Sequence, residues 1–118
     1  MKYEEMFGAT DPGARLYATT ARALTRQARE LGVHGGVYLF EVTGGAASAA
    51  GLRRGDIVTS YGKLPVLNPH DLNAAIASHP RGLKIPVQGL RYREDTKRLE
   101  PLSVTVSPGK LGAGFMPI

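Results

Sequence analysis

The spacing of apolar residues changes along the chain, and each change marks an element. Between residues 12 and 31, Leu16, Tyr17, Ala21, Leu24, Ala28 and Leu31 recur at helical intervals and form one stripe. Asp11 is a residue type that caps orphan amides, Pro12 fits the first helical position, and Gly32 supplies a left-handed stop. Arg15, Arg22, Arg26 and Arg29 lie off the stripe and read as a solvated face, with docking of an acidic partner as the alternative. Residues 1–10 carry no periodicity and read as an extended or frayed lead-in. After Gly35-Gly36 the pattern is that of strands: residues 37–42 are β-rich and lie between glycine pairs. Residues 46–50 suffice for a turn or so of helix, and Leu52-Arg53-Arg54-Gly55 is another turn. Strands are expected over 56–61 and 63–66. Asn68, Pro69 and Asp71 then make the clearest helix start in the chain, for a helix that runs to about Ser78 and stops near Pro80-Arg81-Gly82. Residues 83–91 and 102–106 read as two further strands joined by the charged turn Arg93-Glu94-Asp95. From Ser107 onward a Gly-rich loop leads into a last strand.

A chain of 118 residues is the size of one domain and can bury a core without staples. With no cysteine there is no disulfide scaffold, no Cys-ligated metal site and no thiol nucleophile. No apolar run is long enough to span a bilayer, and no apolar stretch follows Met1-Lys2-Tyr3-Glu4-Glu5 as in a secretory signal. These features predict a soluble, cytoplasmic domain that does not engage membranes. The net charge is +5, and ten of the fifteen cations are arginines, suited to carboxylate or phosphate contacts. The cations are scattered, however, and the eight aromatics do not interleave with them, so nucleic acid is not expected as a partner.

Catalytic chemistry is not legible. His34, His70 and His79 form no metal-binding pair, and Ser48 sits among alanines without the glycines of a nucleophile elbow. Gly112-Ala113-Gly114-Phe115 is too short for a phosphate loop, and the adjacent Glu94 and Asp95 fall in a solvated turn. The chain is therefore expected to be no enzyme, with no catalytic residue, no metal and no cofactor.

Residues 36–42, then Gly45-Ala46-Ala47-Ser48-Ala49-Ala50-Gly51-Leu52-Arg53-Arg54-Gly55-Asp56-Ile57-Val58, then Tyr61-Gly62-Lys63-Leu64-Pro65-Val66 and the capped helix, together resemble a PDZ domain. The resemblance is to the bacterial, strand-permuted kind found beside HtrA-type and caspase-like CHAT peptidases. It spans residues 36–115, and its most specific part is Ala50-Gly51-Leu52 followed by Gly55-Asp56-Ile57. It implies an α+β class: a PDZ-like, partly open β-barrel or sandwich of five to six short strands with two helices, plus the N-terminal helix. The chain then divides into an N-terminal extension and helix at 1–32 and a PDZ-like domain at 33–118.

PDZ domains take up extended peptides, commonly C-terminal ones, by adding the peptide as a strand to a sheet edge and holding its carboxylate on backbone amides of a Gly-rich loop. The resemblance implies that loop at Gly112, Ala113, Gly114 and Phe115, with the amides of Ala113, Gly114 and Phe115 as the nest. It would lie at the end of the strand order, because a helix precedes residues 36–42. The helix over 68–78 is then the facing wall. His70, Ala74 and Ala77 share its groove face, Met116 joins them from the strand, and Leu72, Ala75 and Ile76 turn to the core. His70 falls where many PDZ domains place a histidine that bonds a Ser or Thr two residues before the peptide's end. Pro117 departs from the pattern, since a receiving strand needs an N–H there and proline has none. One lost ladder bond, on the order of 1 kcal/mol, would weaken binding by about five- to tenfold or abolish it altogether. The expectation is a non-catalytic module that binds protein or peptide C-termini by strand addition and serves a protease or other effector domain in the same or a partner chain. The alternative is a structural or regulatory spacer whose groove is blunted or occupied internally.

Overall fold

A computed structural model describes residues 7–8, 11–33, 35–79 and 82–118. Most of the expected lead-in, His34, and the Pro80-Arg81 stop lie outside the described residues. The helix α1 spans Pro12–Leu31. The Asp11 carboxylate accepts from the Gly13 amide at 2.8 Å, and Gly32 ends the helix at φ 69° with its N–H on the Ala28 carbonyl. Strand β1 (Val37–Val42) is followed by the short helix α2 (Gly45–Ala49), β2 (Ile57–Tyr61) and β3 (Leu64–Pro65). Helix α3 (Pro69–Ser78) starts at Asn68, whose side chain accepts from the Asp71 amide at 2.9 Å. Strands β4 (Ile85–Arg93), β5 (Arg98–Val106) and β6 (Ala113–Pro117) complete the chain.

All strand pairs are antiparallel, in the order β5-β4-β2-β1-β6, with β3 paired to β2. Among the described residues the sheet is open, with β5 and β6 as its outer strands, and α1, α2 and α3 complete an α+β fold. Alternation along each strand sorts side chains onto two faces. Val37, Leu39, Val58, Val87 and Val106 turn to one face, where Ala47 of α2 and Leu72 and Ala75 of α3 close a core. Tyr38, Ile57, Leu90, Leu99 and Met116 turn to the other, where Ala14, Tyr17, Ala23 and Leu24 of α1 cover them.

Two expectations need correction. The buried side of α1 is rotated from the expected stripe: Thr20 and Gln27 are buried, while Leu16, Ala21, Ala28 and Leu31 are only half-buried. Gln27 is buried because its amide matches the edge of β5, giving its N–H to the Leu99 carbonyl at 3.2 Å and taking the Leu99 N–H at 2.7 Å. A hydrophobic count cannot see that match. Strand β5 also begins at Arg98, four residues before the expected start, across a turn at 94–97 where Lys97 adopts φ 56°. Pro101 falls inside this strand. Since both backbone groups of Leu99 face Gln27, the Pro101 nitrogen two residues on also faces the open edge, where its missing N–H removes no ladder bond.

The turn into β2 has a lock of its own. Asp56 is 2% exposed, and both of its oxygens accept from Arg91, at 2.9 and 2.8 Å. Arg91 also donates to the Gly51 carbonyl at 2.8 Å, and Asp56 accepts from the Arg53 amide at 2.9 Å. The bond to Asp56 holds the Arg91 guanidinium above its usual pKa. The Gly-Asp-Ile segment thus needs its aspartate to tie the turn to β4.

Candidate functional site

Strand β6 pairs only with β1 among the described residues, so one of its edges is open. Which of its groups face that edge follows from β1. The Leu39 N–H donates to the Asp56 carbonyl at 2.9 Å, and the Leu39 carbonyl accepts from Gly55 at 2.7 Å. Both backbone groups of Leu39 therefore point away from β6. Its cross-strand neighbour is Phe115, which must then turn its own N–H and carbonyl outward. By alternation Ala113 and Pro117 face outward too, while Gly114 and Met116 face β1.

The loop before β6 continues this pattern. The Thr43 amide donates to the Gly112 carbonyl at 2.9 Å, and the Ala47 amide to the Leu111 carbonyl at 2.8 Å. In a trans peptide the N–H points opposite to the carbonyl of the same plane. The Gly112 amide is therefore aimed away from α2 and the Ala113 amide away from β1, at the start of the open edge. Gly112 holds φ 72°, and a Cβ there would run into the Gly44 carbonyl, so the turn depends on glycine. Gly114 has a different reason: its missing Cβ would lie 2.7 Å from the Phe40 ring, which packs across it.

These directions revise the expected nest. Ala113, Gly114 and Phe115 belong to β6 and not to a loop, and only Gly112 of that foursome precedes the strand. By the same alternation the Gly114 amide points toward β1. The outward donors are Gly112, Ala113 and Phe115. Met116 is also displaced: it is 2% exposed, on the face covered by α1, opposite to α3. Its position is odd-even inverted relative to Phe115, which packs with Ala113 against the core that contains α3.

Helix α3 packs against β2 and β6. Leu72 and Ala75 are buried and Ile76 is half-buried, so the core side of the helix is the expected one. His70, Ala74 and Ala77 are exposed on its remaining surface. His79, just past the helix, is a structural residue: its Nδ1 lies 2.6 Å from the Ala75 carbonyl, and its ring meets Tyr61 edge-on at 5.0 Å. Among the described residues no group of three or more His, Cys, Asp or Glu is placed to hold a metal ion. Sequence reasoning named the Ala113 amide but not that of Gly112 as a donor, because the direction of each peptide plane depends on hydrogen bonds made by Leu39, Thr43 and Ala47.

Residues 41–87 match the PDZ domain family. A protein described as "Probable periplasmic serine endoprotease DegP-like", from Pseudomonas savastanoi pv. phaseolicola (strain 1448A / Race 6), is 30% identical to this chain over 89 residues. The match covers 75% of this chain and 19% of that protein, so the chain spans just under a fifth of its relative's length. The open antiparallel sheet, the capped helix beside its outer strand and both matches agree: the chain carries a PDZ domain of the bacterial type.

Proposed function

We propose that this domain binds the C-terminal residues of proteins by adding them as an antiparallel strand to the open edge of β6. The observation that carries this reading is the line of outward amides at Gly112, Ala113 and Phe115. An antiparallel strand added to β6 ends beside the start of β6. Its terminal carboxylate then meets the paired amides of Gly112 and Ala113, an anion-binding concavity built from backbone alone. The residue opposite Ala113 is the terminal one, and the third from the end lies opposite Phe115. Exposed Ala74 and Ala77 leave space along α3 for the terminal side chain, and His70 is the partner for a Ser or Thr hydroxyl. The likeness to a DegP-like endoprotease supports service to a protease, in the same chain or a partner, as the setting for this binding.

A spacer with a blunted groove is the second reading, and Pro117 is the observation that favours it. Parity moves Pro117 away from the carboxylate end, however, so its missing N–H leaves the two rungs at Ala113 and Phe115 intact. The deciding experiment is a titration of one peptide as free acid and as C-terminal amide. The amide is expected to bind ~1.5–3 kcal/mol more weakly, the worth of hydrogen bonds to a charged group. Equal affinities would remove Gly112 and Ala113 from the site.

A further inference from the structure

The far end of the β6 edge is closed twice. Pro117 is the third outward-facing residue of β6 and has no N–H to give. Its carbonyl, the other half of that rung, already accepts from the Tyr17 hydroxyl of α1 at 3.2 Å. Tyr17 is well placed to stay there, because it is buried and its ring meets Tyr38 edge-on at 5.0 Å. A peptide residue opposite Pro117 would therefore receive no bond, and the carbonyl it could give one to already holds the Tyr17 hydroxyl on one of its two lone pairs.

We infer that Tyr17 and Pro117 set the depth of recognition: the domain reads the last three residues of a chain end, and residues further upstream add no backbone ladder bonds. This rests on the peptide-binding reading above. The rungs at Ala113 and Phe115 serve the terminal residue and the third from the end. The next rung would fall on the fifth from the end, opposite Pro117. Helix α1 is thus more than a cover for the outer face of the sheet, since it supplies the hydroxyl that ends the ladder. The ligand class that fits is a short exposed C-terminus with little extended chain before it. A tail held against a folded body up to its last few residues meets that description.

The test compares two N-acetylated free-acid peptides with the same Ser-Ala-Leu ending, one of four residues and one of eight, the added residues being alanine. The wild-type domain is expected to bind both within twofold. Tyr17→Phe frees the Pro117 carbonyl, and Pro117→Ala restores the N–H. The double variant is expected to favour the octapeptide over the tetrapeptide by about fivefold or more, and each single variant by less, as one net hydrogen bond implies. An octapeptide that binds the wild-type domain fivefold or more tighter overturns the inference while leaving peptide binding intact. So does a folded double variant that remains blind to length. Failure of both peptides to bind, as acid or as amide, overturns the peptide reading and the inference with it.

Discussion

Asp56 shows what a single residue does in this fold. Its carboxylate is almost fully buried, accepting one bond from the Arg53 amide within the turn and two from Arg91, which tie the turn to β4. Replacing Arg91 with alanine would leave a buried charge without its partner, a loss that runs to about 3 kcal/mol or more. Chemical denaturation of Arg91→Ala is expected to show a drop of that size. Arg91→Lys should recover only part of it, because an ammonium cannot reach both Asp56 oxygens and the Gly51 carbonyl in the same planar fork. A stability unchanged in Arg91→Ala would mean that the turn is held by its backbone bonds alone.

At the scale of elements, α3 and β6 form the two sides of the proposed groove, and their parts differ in legibility. The cap at Asn68 and the spacing of Leu72, Ala75 and Ile76 are local, so the helix and its core side could be read directly. Ala77 lies on the exposed side and is small. If it floors the pocket for the terminal side chain, Ala77→Leu fills that space and shifts preference from Leu or Phe toward Val or Ala. Ranking a set of peptides that differ only in their last residue checks this, and an unchanged ranking would place Ala77 outside the pocket. Strand β6 was harder. Its existence followed from the Gly-rich lead-in, but its parity did not, and a shift of one position exchanges groove residues for buried ones. Met116 was misplaced for that reason.

For the molecule as a whole, α1 joins the sheet in three ways. It covers Tyr38, Ile57, Leu90, Leu99 and Met116, it ends the edge of β5 through Gln27, and it reaches the end of β6 through Tyr17. An ion pair between Glu30 and Arg98 adds a surface link. Removing residues 1–31 would return several large apolar side chains to water, at ~1.5–3 kcal/mol for each one fully exposed. It would also uncover the backbone groups of Leu99 and the Pro117 carbonyl on the two outer strands, and exposed strand edges are a known hazard for association. The truncated domain is expected to melt at a lower temperature or to aggregate. A shortened chain that stays monomeric and melts at the wild-type temperature would make α1 a linker and would favour the spacer reading.

The sequence by itself determined which elements form and where the two longer helices begin and end. Asp11, Gly32 and Asn68 act on neighbours within a few residues, and the switch from helical to strand spacing after Gly36 is a local property of the chain. It also carried the Ala-Gly-Leu and Gly-Asp-Ile segments from which the fold class could be argued. Tertiary structure decided the rest. Gln27 is buried because Leu99, far along the chain, presents an edge that its amide can match. Pro101 is tolerated because the same edge faces away from β4. Gly112, Ala113 and Phe115 point outward because Leu39, Thr43 and Ala47 fix the peptide planes of β6 and its loop from the other side. A backbone group has no side-chain identity to read, and its direction is set by the partner across the sheet.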